Sequence, residues 1–379
     1  TSALADAVNA LPFEQPKAFL ATTEGQFAYF GLIMTAIALF GPLMIQKLWH
    51  CAPLADGPDR QRIEALCRRA DIGYRDILAW PLFGGRMITA AVMGLVRHFR
   101  YILVTPALLE LLDAPEVDAV VAHEIGHIKR RHLVFYLVFF AGYLLVAYVA
   151  FDLIVYLMLL VESLWQLDHL GGGNRTAAVS TILSGMMIGV FLVYFRFVFG
   201  YFMRNFERQA DTYVYRLFDS AQPLITTLQK IAFTSGEPRD RPNWHHFGIG
   251  ERIDYLQRCE RNPDWVRRHD AKVRRSIAAY LAGLLLIGAV GYQLNLGTVG
   301  TRMNHHLFEK VIVRQLERQP ANPALHALLG DFKFARGRYA EAQSAWEAAL
   351  ALKPDTPAVL NNLAWLLATC EEAGLRNPA

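Results

Sequence analysis

Residues 113–151 read DAPEVDAVVAHEIGHIKRRHLVFYLVFFAGYLLVAYVAF, and this stretch decides the fold. It opens as a helix: Asp113 followed by Glu116 has the form of a capping box, and Pro115 is tolerated in a first turn. Val117, Val120, Val121, Ile125 and Ile128 then recur at helical spacing. On such a helix His123 and His127 stand about 40° apart around the axis, so both imidazoles face one point. Glu124 sits one step round, where a carboxylate can act as general base on a water that a metal activates. Lys129, Arg130 and Arg131 close the motif, and uncharged apolar sequence starts at Leu133. A metal-binding helix therefore runs up to the edge of a membrane span.

Outward from this stretch the chain stays apolar. Of its 379 residues 54% are hydrophobic and 19% charged, below the roughly 25% charge of an ordinary soluble domain. Four segments have the ~20 apolar residues a hydrocarbon core requires: 25–46, 133–161 (interrupted by Asp152), 176–203 (interrupted by Arg196) and 276–301. Residues 1–24 form a polar N-terminal segment. The net charge of +4 is spread along the chain without a long single-sign run, which excludes a nucleic-acid arm, and no nucleic-acid partner is expected. Cys51, Cys67, Cys259 and Cys370 have no paired spacing, which argues against a disulfide framework or a thiolate zinc site.

Eleven Lys/Arg lie between Trp49 and His132 and fourteen between Arg204 and Arg275, against one in Glu162–Arg175 and only Lys17 in the N-terminal segment. The positive-inside rule puts segments 49–132 and 204–275 in the cytoplasm, where they must pack as one domain, and everything after Thr301 on the opposite side.

A catalytic zinc needs a third protein ligand. His132 lies nine residues after His123, on the opposite face if the helix is continuous, and is rejected. Glu207 in Asn205-Phe206-Glu207-Arg208-Gln209-Ala210-Asp211 is the better candidate, on the cytoplasmic extension of the third span. Glu207 and Asp211 share a helix face, so one carboxylate can bind the metal while the other accepts a ring N–H of a ligand histidine.

These two motifs, their order and the pair of spans between them resemble the HtpX-like and CAAX prenyl endopeptidase family of membrane zinc metallopeptidases, over about Trp49 to Leu256. The resemblance implies a mainly α, multi-span protein with a zincin-like domain carrying a small edge-strand β element. It implies one Zn2+ per chain, held by His123, His127 and Glu207, with Glu124 as base and Asp211 as supporting acid. The family's Asn-Ala-x-Ala-x-Gly edge strand is matched by Thr89-Ala90-Ala91-Val92-Met93-Gly94, with Thr for Asn and Val for the second Ala. A strand at Tyr101–Thr105 and a helix around Leu108–Leu112 should follow. Downstream, His246 aligns with the family's histidine, ahead of His245, as a donor to an oxyanion, and Arg252 follows in an Arg-Ile pair. Thr89, Ala90, Ala91 and Arg252 are the expected substrate-binding residues.

Pro323–Thr356 has the pattern of one tetratricopeptide-like repeat, marked by Leu329, Gly330, Gly337, Tyr339, Ala342, Trp346, Ala349 and Pro354, with Lys333 where an aromatic is usual. A second repeat starts at Pro357, so 320–379 is expected to be a helical repeat module for a protein partner or self-association. The resulting expectation is a multi-pass protein of a bacterial inner membrane that cleaves polypeptides, membrane proteins among them, in quality control or processing. The alternative is a membrane-anchored repeat scaffold with an inactive peptidase domain. A site-2-type intramembrane protease is disfavoured, because basic residues follow the motif at once and no Asp-Gly partner lies in a span.

Overall fold

The computed structural model describes Phe19 and residues 22–82, 87–160, 171–235, 246–295, 297–370 and 374–376. Most of the N-terminal segment, the 161–170 part of the connection after the second span, and His245 lie outside these. In chain order the elements are α1 (Thr23–Leu48), β1 (Ala52–Pro53), α2 (Pro58–Arg69), β2 (Asp76–Ala79), β3 (Ala90–Met93), β4 (Tyr101–Val104), α3 (Pro106–Leu111), α4 (Ala114–Lys129), α5 (His132–Leu160) and α6 (Gly171–Val193). A π-helical turn, Tyr194–Phe199, leads to α7 (Gly200–Tyr213), followed by α8 (Gln222–Ser235), α9 (Ile249–Arg261), α10 (Asp264–Asn295), α11 (Thr298–Arg318), α12 (Pro323–Phe334), α13 (Tyr339–Leu352) and α14 (Pro357–Thr369). Among the described residues four helical stretches are long and apolar enough to cross a membrane: Gly31–Leu48, His132–Met158, Ala177–Arg216 and Asp264–Leu294. Leu32, Leu137, Ile188, Leu285 and Leu286 on them are exposed, as lipid-facing side chains would be.

The chain divides into two units. The first comprises Thr1–Ala147 and Met187–Ala282, so the two basic segments do belong to one body. Its sheet has the order β1-β2-β4-β3, with β2 and β4 parallel and both outer pairs antiparallel. All four residues of β4 are buried, as a central strand covered on both faces requires. Ile63 and Leu66 of α2, Ile77 of β2, Ile102 and Val104 of β4, and Val117, Val121 and Ile125 of α4 share one core. The capping expectation holds: the Asp113 N–H donates to Glu116 Oε2 at 2.8 Å, and Lys230 of α8 binds the same oxygen at 2.7 Å. Phe139 of α5, Phe202 and Phe206 of α7 and Val273 of α10 form a second, aromatic core.

Three local expectations are corrected. The motif helix does not continue through His132: α4 ends at Lys129, Arg131 takes φ 58°, and the chain turns before α5 begins. The fourth span does not extend to Thr301, because α10 ends at Asn295 and α11 starts at Thr298. At its other end α10 reaches back to Asp264, so the basic segment before the fourth span is part of the same helix.

The second unit comprises Tyr148–Met186 and Gly283–Ala379. Within it α12 and α13 form a hairpin turned through Gly337, whose φ of 68° suits glycine. Gly330 lets the two helices close: a Cβ there would stand 2.3 Å from the Trp346 ring. Ala342, Trp346 and Ala349 of α13 pack with Val359 and Leu366 of α14. Lys333 is buried, and its ammonium meets Glu341 Oε2 at 2.8 Å and the Glu309 carboxylate of α11. A lysine can stand at an aromatic position because two carboxylates neutralise it there.

Candidate metal centre

Helices α4 and α7 touch almost backbone to backbone. A Cβ on Gly126 would come within 2.9 Å of Tyr213 Cβ and 3.0 Å of Ala210 Cα. That approach brings His123 and His127, on α4, against Glu207 on α7. His123 Nε2 and His127 Nε2 are 3.3 Å apart. His123 Nε2 is 3.4 Å from Glu207 Oε2, and His127 Nε2 is 3.5 Å from Glu207 Oε1. All three residues are buried, and they form the group among the described residues that could hold a metal ion.

The chemistry of this donor set fits zinc. A tetrahedral ion with bonds of about 2.0–2.1 Å has ligand–ligand edges of about 3.3 Å, and the distances here cluster at that value. The nitrogens turned away from the centre are also engaged, as ligand histidines require. His123 Nδ1 lies 2.9 Å from Asp211 Oδ1, and His127 Nδ1 lies 3.1 Å from His132 Nδ1. Burial opposes the charged form of His123, but the Asp211 and Glu207 carboxylates prevail and hold its imidazole up at about 10. Burial pushes His127 down to about 4. Ligand histidines bind a metal as neutral rings, so a metal bound here would displace a proton from His123.

Glu124 is half-buried beside this cluster, and burial pushes its carboxyl up to about 7. It accepts a hydrogen bond from the Val92 backbone, which ties it to β3. Among the described residues that strand has β4 on one side and an edge on the other, and it packs against α4. Ala90 is buried and Ala91 half-buried in it; Thr89 precedes it, its N–H donating to Thr105 Oγ1 at 3.1 Å. The expected strand and helix after β3 are present as β4 and α3.

His246 reaches the cluster from a different segment, with Nδ1 3.2 Å from Glu207 Oε2. The residues after it are anchored by Arg208, whose guanidinium lies 3.9 Å from the centre of the Phe247 ring and 4.3 Å from that of Tyr255 while binding Glu251 at 2.6 Å. Arg252, expected to bind substrate, is committed elsewhere. Its Nη2 and Nε fork onto Asp211 Oδ1 and Oδ2 at 2.6 and 2.9 Å, with Asp211 buried and Arg252 half-buried. The fork neutralises a carboxylate that is 2% exposed and aims it at His123.

Comparison with known proteins bears on what this centre is. The family model for peptidase family M48 matches residues 60–281, more than half of the chain. The chain belongs to peptidase family M48. Among curated proteins of related sequence, an "Uncharacterized metalloprotease YhfN" of Bacillus subtilis (strain 168) is 28% identical over 184 residues, covering 47% of this chain and 42% of that one. A "Protease HtpX homolog" of Sulfurihydrogenibium sp. (strain YO3AOP1) is 30% identical over 107 residues, covering 28% and 33%. The chain thus spans less than half the length of the curated relatives it matches. The crystal structure of S. mikatae Ste24p aligns with a TM-score of 0.49 and 18% identity over 67% of this chain and 63% of that one.

Sequence reasoning did not single out three residues that the structure brings to this cluster: Gly126, whose missing side chain permits the helix contact, and Gln209 and Asp270, which bond in turn behind His132. It considered His132 only as a metal ligand on a continuous helix. The break at Arg131 instead turns the ring back under His127.

Proposed function

We propose that this M48 protein is a membrane-embedded zinc endopeptidase in which His123, His127 and Glu207 hold one Zn2+ and Glu124 is the general base. The observation that carries the reading is the 3.3–3.5 Å spacing of the three donor residues beside a half-buried carboxylate. Zinc at such a centre supplies Lewis acidity, polarising a peptide carbonyl and lowering the pKa of a water toward about 7.

The remaining roles fall to the chain's own groups. Glu124 takes the proton of the attacking water and passes it to the departing amine nitrogen, a task suited to a carboxyl raised toward neutrality. Asp211, gripped by Arg252, accepts the His123 Nδ1 proton and fixes that ring. His246 donates a hydrogen bond to the oxyanion that develops on the scissile carbonyl. An extended substrate adds to the edge of β3 at Ala90 and Ala91, where backbone pairing gives affinity with little demand on sequence. The basic segments on either side of the spans favour a cytoplasmic site in a bacterial inner membrane. Polypeptides, membrane proteins among them, are the proposed substrates, in quality control or processing. Helices α12–α14 serve as a tetratricopeptide-like module for a protein partner or self-association.

The test is metal content and peptidase activity of detergent-purified wild type beside Glu124→Gln and Glu207→Ala. One zinc per chain is expected in wild type and Glu124→Gln, cleavage in wild type alone, and weakened zinc in Glu207→Ala. A wild type without stoichiometric metal would refute the reading.

A further inference from the structure

A buried run of polar groups leads away from the metal centre, and the reaction scheme above does not use it. His127 Nδ1 meets His132 Nδ1 at 3.1 Å, and His132 Nε2 meets Gln209 Oε1 at 3.2 Å. Gln209 Nε2 donates to Asp270 Oδ1 at 2.7 Å, and Arg130 Nη2 binds Asp270 Oδ2 at 2.7 Å. His127, His132, Gln209 and Asp270 are each at most 9% exposed, and His132 is fully buried. The His132 ring also stacks on Phe206, with centroids 4.3 Å apart and planes within 5°, which prevents it from turning.

The direction of every bond follows from the far end. A carboxylate between Arg130 and an amide can only accept, so Gln209 must present its Nε2 to Asp270 and its Oε1 to His132. That oxygen can only accept, so His132 carries its proton on Nε2. The neutral ring then offers a bare Nδ1 to His127, which must donate from Nδ1, leaving its Nε2 lone pair free on the side facing His123 and Glu207. The orientation of each group is thus dictated by the next, ending at a fixed charge pair.

We infer that His132, Gln209 and Asp270 are positioning residues that hold His127 in the metal-binding tautomer and ring orientation, and that through them the metal centre is tied to α5, α7 and α10, the helices that continue into three of the apolar spans. This rests on the metal reading of His123, His127 and Glu207. None of the three touches substrate or metal. An outer partner of this kind is generally worth about 10–100-fold in metal affinity.

The experiment uses the full chain in detergent with three variants. His132→Phe keeps the stack on Phe206 and removes the acceptor. His132→Asn returns a carbonyl oxygen near the place of Nδ1. Asp270→Asn removes the fixed charge at the far end. Zinc affinity is read by competition with a chromophoric chelator, ligand geometry by the visible spectrum of the Co2+-loaded protein, and folding by the unfolding midpoint of the metal-free protein. The expected result is zinc binding weakened about 10–100-fold in His132→Phe with an altered Co2+ band. Most of that loss should be recovered in His132→Asn, and Asp270→Asn should show a smaller loss of the same sign. Wild-type zinc affinity in His132→Phe would overturn the inference. So would equal losses in the Phe and Asn variants that track a lowered metal-free midpoint, the mark of a merely structural residue. A wild type that binds no zinc would instead remove the metal reading on which the relay depends.

Discussion

Gly126→Ala is the substitution that tests the ligand geometry most directly, because it adds one methyl between the two helices that carry the ligands. Its Cβ would stand 2.9 Å from Tyr213 Cβ, 3.0 Å from Ala210 Cα and 3.2 Å from Ala210 O. Two of these three atoms are backbone of α7, so no side chain can swing away. Ordinary contact starts at 3.4 Å, so α7 must retreat by about half an ångström. The helix itself gains about 1 kcal/mol from replacing glycine by alanine, whereas overpacking a close contact costs about 1–3 kcal/mol. The net effect on stability is therefore small, about 0–2 kcal/mol. The effect on the metal is not, because metal–ligand distances tolerate only about 0.2 Å and Glu207 rides on α7. Zinc affinity should fall tenfold or more while the metal-free unfolding midpoint moves by a few degrees. Gly185→Ala is the control, since nothing stands within 4 Å of the added Cβ; it should bind zinc as wild type does. Wild-type zinc affinity in Gly126→Ala would show that the helices are not in contact there, and the argument for Glu207 as ligand would fall with it.

Three further outcomes follow from the same geometry. Arg252→Leu leaves the Asp211 carboxylate, 2% exposed, with the His123 imidazole as its remaining partner and should destabilise the metal-free protein by less than the ~3–5 kcal/mol of a wholly unpaired buried charge. Arg252→Lys keeps the charge but not the fork, and should recover part of that cost. Glu116→Ala removes the acceptor of the Asp113 N–H and should destabilise by about 0.5–2 kcal/mol. Burial pushes the Glu116 carboxyl up, but bonds from Lys230 and the Asp113 N–H prevail and hold it below its ordinary 4.5. Its native value is thus the lower one, so its stabilisation is complete above about 4.5 and is lost as pH falls through the native value, which denaturant titrations of wild type and Glu116→Ala at several acid pH values will resolve. Lys333→Leu replaces a buried ammonium held by Glu309 and Glu341 and should leave thermal stability within about 1 kcal/mol, because both carboxylates keep Arg338 as a partner at this partly exposed site.

What the sequence made legible and what it hid divide along a physical line. Residues 113–131 carry local signals: a cap, an apolar stripe and two histidines one turn apart. Local signals are enough to specify a helix and the face on which a metal sits. Glu207 was legible for a similar reason, since Glu207 and Asp211 share one face of a helix that extends an unmistakable apolar run. The strand at Ala52–Pro53 offers no periodicity, being two residues long, and Asp76–Ala79 is a strand because partners distant in sequence flank it, β1 antiparallel on one side and β4 in parallel, from 25 residues away, on the other. Arg252 illustrates the harder case. Its charge is visible in the sequence, but its partner lies 41 residues away, and only the fold decides between a substrate and Asp211. His132 is the most instructive, because the sequence argument about it was sound given its premise. A residue nine positions on faces away if the helix continues, yet nothing in Lys129-Arg130-Arg131 announces that the helix ends, and Arg131 adopts a left-handed φ of 58° without being glycine or asparagine. Such a conformation costs a non-glycine residue energy. It persists here where Arg130 is anchored by Asp270 and His132 by Gln209 and Phe206, so the same buried groups that orient His127 also hold the turn that delivers His132 to it.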